Sequence, residues 1–373
     1  MIKIKEIFSK KEMKQFVTFP FSLYKNNKYW VPPIIKDEID SFDKDKNPVF
    51  KQATAQYFLA YKDNKIVGRV AAIINHTEVD VQNVKKMRFG WFDVIDDVEV
   101  SRALLEKVYK IGEANKLEKI EGPIGFSNMD KVGVLTKGYD IIGKMVTWYN
   151  HPYYVEHLEK LGYVVEKEYI ETTILMKNIG IEKYTKFANV LKQRYGYKVL
   201  NFTNSKAVMP YVDEMFDLFE KSYSKLSTFV PISDEQVDFF KKKYISFINP
   251  EYIKFVVDKD DNLVSFAILM PSFAKALQKA NGKLFPFGIY HLLKARKKNK
   301  IVVSYLIGVH PDYQNKGVTA IVFDEFYKSI IANRVEKTVI TPMLKNNEEI
   351  RNIWKNFNPV VDKERCTYTL KIK

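Results

Sequence analysis

Residues 307–319 read IGVHPDYQNKGVT, and the fold turns on how that stretch is read. An apolar strand runs into His-Pro-Asp-Tyr and a helix begins beside Gly317, which leaves unpaired backbone N–H groups at the positive end of the helix. Such an end is a ready anion site, and a glycine there lets the backbone approach a phosphate closely. Gln314 and Lys316 could add side-chain donors.

The elements around this stretch occur twice. Residues 57–73 (YFLAYKDNKIVGRVAAI) and 253–269 (IKFVVDKDDNLVSFAIL) each carry an apolar strand into an Asp-Asn turn and out again, a hairpin signature. After the first hairpin come MRFGWFDV, a helix over 98–116, LEKIEG, a short helix from Tyr153 and YIETTILMK. After the second come KIVVSYLIGV, a helix over 319–334, KTVITPM, NEEIRNIWKNF and CTYTLKIK. The shared order predicts two related domains, 1–178 and 179–373. The second carries a helical insertion at 271–300, far longer than a hairpin loop requires.

Length and composition agree with two packed cores. The chain has 373 residues, 46% hydrophobic and 14% aromatic, too much apolar material for a disordered chain. Its single cysteine, Cys366, cannot form an internal disulfide, and the first residues resemble no apolar leader, so a cytoplasmic setting is expected. His76, His157, His291 and His310 have no partner at ligand spacing, so no metal site is expected. A net charge of +15 suits a polyanion, but most lysines are scattered singly, and no specific nucleic-acid partner is expected. The densest basic cluster is KARKKNK, Lys294 to Lys300.

Val309, Pro311, Gln314 and Gly317 match in spacing the cofactor motif of the GNAT superfamily of acyl-CoA dependent N-acyltransferases, which the sequence resembles there. Thr319 departs from the final small position of that motif, and Asn347 stands where the family has an Asn opening a short helix. The motifs WVPP, VGRVAAI, FGWFD, EGPIGFSN, GYD and YNHPYY, followed by the cofactor motif in the second half, resemble bacterial tandem GNAT-like proteins, a likeness that spans most of the chain. The resemblance implies an α/β (α+β) fold of two tandem GNAT-like domains, each a mixed, mostly antiparallel twisted sheet flanked by helices. It also implies acetyl-CoA or another acyl-CoA as cofactor, with Ile307, Gly308 and Val309 along the pantetheine arm and Gln314, Asn315, Lys316, Gly317, Val318 and Thr319 around the pyrophosphate. In the first copy Asp93, Asp96, Asp97 and Glu99 stand at the equivalent helix start and would repel phosphate, so that domain is expected to shape the acceptor site instead.

Transfer from a thioester to an amine needs a proton for the leaving thiolate. The Tyr that such enzymes place seven residues after the Asn is Trp354 here, so Tyr305 is one substitute acid, and Asp93 a candidate base or a group for binding a cationic acceptor. Ser127, Asn128, Tyr149, Asn150 and Tyr153 are the candidate acceptor pocket, for a small-molecule or lipid-like amine. The insertion joins apolar residues to a basic edge, a combination that suits a lid or contact with an anionic membrane surface. Two other functional readings stand beside acyl transfer: an aminoacyl or peptidyl transferase using charged tRNA, and a CoA-binding protein without catalysis.

Overall fold

The computed structural model describes residues 1–127, 129–226, 228–242 and 247–373. The first half opens with β1 (Ile2–Glu6), α1 (Lys10–Leu23) and α2 (Ile35–Ser41), followed by β2 (Ala53–Lys62), β3 (Lys65–Asn75) and β4 (Lys86–Val94). It continues through α3 (Val98–Ala114), β5 (Lys119–Gly122), β6 (Val134–Lys137), α4 (Tyr153–Lys160) and β7 (Val164–Leu175). The second half runs α5 (Glu182–Tyr195), β8 (Lys198–Asn201), α6 (Ser205–Val208), α7 (Val212–Tyr223), α8 (Asp234–Phe240), β9 (Ile253–Val257) and β10 (Leu263–Pro271). After α9 (Ala274–Ala280) and α10 (Gly288–Lys297) come β11 (Ile301–Val309), α11 (Val318–Ala332), β12 (Lys337–Leu344), α12 (Glu348–Trp354) and β13 (Val360–Lys371).

The fold is mixed α/β, and the described strands form one continuous sheet in the order β1-β2-β3-β4-β5-β13-β7-β12-β11-β10-β9-β8, with β6 pairing β13. Most neighbours are antiparallel. The parallel pairs are β4 with β5 and β11 with β12, one in each half. At the centre the closing strands are exchanged: β13 of the second half pairs β5 of the first, while β7 of the first pairs β12 of the second. The two closing strands also pair with each other.

Local sequence accounts for the elements. The β2–β3 turn has Asp63 and Asn64 at φ 51° and 60°, left-handed positions that Asn and Asp tolerate best after Gly. In α3 the Asp97 side chain caps the helix by accepting from Glu99 N, and Val100, Leu104 and Val108 recur at helical spacing to face the core. Alternation along β3 sends Val70 and Ala72 toward α3, and Ala71 and Ile73 toward α1. Thus α3 and α11 share one face of the sheet, and α1 and α7 cover the other.

Candidate functional site

β11 and β12 pair only from Ile301 with Lys337 to Ser304 with Ile340; beyond that they part. The amide of His310 donates to Val264 O on β10, so by the two-residue period the backbone groups of Ile307 and Val309 point away from β10 into this gap. Their carbonyls are already engaged, since Tyr223 Oη donates to Ile307 O (3.0 Å) and Ser222 Oγ to Val309 O (3.0 Å). What this edge offers an extended ligand is therefore the amide N–H groups of the same residues.

At the end of β11, Gly317 occupies the N-cap of α11 without a side-chain cap, and the first turn holds no acidic residue. This is the opposite of α3, whose cap is an Asp and whose first turn holds Glu99. Gln314 Nε2 lies 3.4 Å from Val309 O, Asn315 is left-handed (φ 59°), and Lys316 sits over the Tyr313 ring. Gly317 is left-handed too (φ 79°), and a Cβ there would lie 2.7 Å from Phe187 of α5. Its glycine is thus required by backbone conformation and by helix packing as well as by any phosphate. Asn347 caps α12 by accepting from Ile350 N (3.2 Å), and Trp354 is buried against Phe323.

The other site residues expected from sequence are dispersed. Asp93 is no free base: Arg69 donates to its Oδ2 through Nε (2.8 Å) and pairs through Nη2 (2.7 Å), while Tyr24 Oη donates to Oδ1 (2.9 Å). A carboxylate next to a helix start was legible, but Asp97, not Asp93, is the cap. Tyr153 Oη donates to Val94 O, and Val94 N donates to Tyr154 Oη, so these two rings plug the first half's own gap beyond β4 and β5. Asn150 binds both Leu135 N and Leu135 O, clamping β6 rather than capping α4, and Tyr149 Oη donates to Tyr139 O. Ser127 donates to Asp130 Oδ2 through its amide (2.9 Å); Asn128 lies outside the described residues.

Tyr305 does sit at the gap. It is half-buried and packs against the buried cluster of Phe266, Ile268 and Met270, the same cluster that Met129, Met145 and Val146 of the first half's long loop pack against. Burial, then the nearby Asp130 carboxylate and Tyr223, push its hydroxyl well above the usual tyrosine range. The same loop reaches the β12 lip, where Lys144 Nζ donates to Ile340 O (2.9 Å), the last paired residue. Lys144 also pairs with Glu171 on β7, and Glu171 accepts from Arg365 Nε on β13, with Lys363 as a third cation close by. Burial alone would raise the Glu171 carboxyl, but these cations outweigh it and hold it at about 2. Burial lowers Lys363 to about 8. Sequence reading missed this cluster; its one local signal is a charge in the middle of each closing strand, YIETTIL and DKERCTY.

A cleft of ≈ 510 Å³ beside α12, lined by Ile170, Thr172, Met343 and Arg351 among others, does not include residues 305–319.

The strand order and the parted parallel pair are those of a GNAT fold in tandem. A tandem GNAT protein from the clavulanic acid biosynthesis pathway matches over 100% of this chain and 99% of its own, with a TM-score of 0.60 at 7% identity. The chain thus has the tandem GNAT fold. In sequence it is similar to protein YghO of Escherichia coli (strain K12), 24% identical over 317 residues that cover 83% of this chain and 79% of that one. It is likewise similar to the bacterial ceramide synthase of Caulobacter vibrioides (strain NA1000 / CB15N), 24% identical over 318 residues covering 81% and 79%. No protein-family model matches.

Proposed function

We propose that this protein is an acyl-CoA dependent N-acyltransferase in which the second half binds the acyl-CoA and the first half builds the acceptor side. The observation that carries this reading is the start of α11: uncapped, free of acid, and reached in the chain from the stretch of β11 that has left β12. Bound acyl-CoA supplies an acyl group activated as a thioester. The α11 amides of Val318 and Thr319, with Lys316, hold its pyrophosphate, and the amides of Ile307 and Val309 hold the arm. An acceptor amine forms the new C–N bond as the C–S bond breaks, and Tyr305, kept protonated by its surroundings, gives a proton to the departing thiolate. The amine proton leaves to solvent.

A long-chain amine is the acceptor class we favour. Ceramides are N-acylated long-chain amino alcohols, so the likeness to a protein of that name agrees with the bond proposed and with the apolar insertion beside β11.

Titration calorimetry with CoA tests the donor site. Thr319→Glu puts a carboxylate among the α11 amides, where it favours the helix dipole by about 0.3–1 kcal/mol but repels phosphate. Loss of CoA binding by more than about tenfold, with an unchanged or higher melting temperature, is expected. Equal CoA affinity in the variant, or binding of charged tRNA in place of CoA, would remove the reading. Gly317→Glu is a poorer probe, because φ 79° and Phe187 strain any side chain there.

A further inference from the structure

The insertion formed by α9 and α10 has two apolar surfaces, and only one is used by the fold. Its inner side buries Leu277, Ala280 and Leu292 with Ile34 of the first half, and Ile35 N donates to Gly282 O (2.9 Å). Gln278 Nε2 adds bonds to Lys28 O and Trp30 O. The insertion is therefore a fixed bridge between the halves rather than a hinged lid. Its outer side leaves Phe285 72%, Phe287 73% and Tyr290 60% exposed, with Leu293 and Ile289 beside them. An apolar tip on this scale, already backed by a packed inner face, marks an interaction surface.

Charge identifies the partner. Residues 271–300 hold eight Lys or Arg and no Asp or Glu, more than half of the chain's net +15. Among the described residues Lys275, Lys279, Lys283, Lys294, Lys297 and Lys298 make no ion pair. The two features are also ordered along α10. The rings cluster at its N-terminal end and the cations at its C-terminal end, and Tyr290 to Lys297 is about 10 Å of helix rise. That is the depth over which acyl chains give way to headgroups. No helix of the described residues is long and apolar enough to cross a membrane.

We propose that the α9–α10 insertion docks the protein on an anionic lipid bilayer, with Phe285 and Phe287 entering the acyl boundary and the α10 lysines lying among the headgroups. The chain runs from α10 directly into β11, the strand that carries Tyr305, so a lipid-like acceptor would pass from the bilayer toward that strand; this last point rests on the proposed acyl transfer, whereas docking itself does not.

Vesicle co-sedimentation of the full chain, without CoA, tests docking. Phosphatidylcholine vesicles containing phosphatidylglycerol should bind the protein, and phosphatidylcholine alone should not. Binding should fall with salt. Phe285→Ser with Phe287→Ser, and separately Lys294→Glu with Lys297→Glu and Lys298→Glu, should each weaken binding about tenfold or more, at an unchanged melting temperature. In Phe287→Trp the emission should move to the blue on anionic vesicles. No binding to anionic vesicles, binding indifferent to both sets, capture of tRNA in place of vesicles, or a dimer dissolved by the Phe pair would each overturn the proposal.

Discussion

Glu171 is fully buried, and three cations surround it. Removing its charge leaves Lys144 and Arg365 uncompensated, so Glu171→Gln should lower stability by about 3–5 kcal/mol in denaturant titrations. The sign with pH follows from its lowered carboxyl. The unfolded chain holds more protons between about 2 and the ordinary 4.5, so this contribution is complete above pH 4.5 and is lost as pH falls through 2. Lys363 behaves differently, because its position costs stability while it is charged. Between about 8 and 10.5 the unfolded chain again holds more protons, and stability from this group rises with pH across that window. Lys363→Met should therefore raise the melting temperature at neutral pH, with the gain shrinking toward pH 10.5; a lower melting temperature at pH 7 would contradict the excess of cations. The charges within the closing strands were visible in the sequence but their pairing was not, since Arg365 and Glu171 are 194 residues apart and Lys144 and Glu171 are 27 apart.

Elements were legible where a local pattern decides them. The hairpins showed in their turns, the helices in their 3.6-residue spacing, and α11 in the Val-x-Pro to Gly317 run. What a local pattern does not give is the occupant of each gap. Tyr153 and Tyr154 read as a helix start, yet their hydroxyls close the gap of the first half, while Ser222 and Tyr223, unremarkable at the end of α7, take the carbonyls of β11. The caps of the two equivalent helices separate stability from binding. Asp97→Ala should cost about 1 kcal/mol of stability, through the Glu99 amide it accepts from, and leave CoA affinity unchanged. The contrast with Thr319→Glu, which spares stability and removes CoA, is the measurement that assigns the site to one half.

For the whole molecule the exchanged closing strands matter most. Two copies of one pattern suggest two sheets closed separately, and sequence alone does not choose between β7 and β13 as the partner of β5, because both are strands of 12 residues that open on Val-Val and carry charges in their first half. The exchange makes the halves interdependent. Deleting residues 359–373 should unprotect those alternate amides of Lys119 to Gly122 that face β13 in hydrogen exchange, although they lie in the first half, while the ones that face β4 stay paired. Calorimetry of the intact chain should show one transition; two would mean that each half is stable without its borrowed strand. There is a consequence for synthesis. A ribosome adds roughly 5–20 residues per second, so β5 has left the tunnel long before residues 360–371 exist. For that interval its edge is open to any passing strand. A chain that stops before residue 360 is unfinished at the centre of its sheet, and such a chain offers proteases and chaperones an immediate handle.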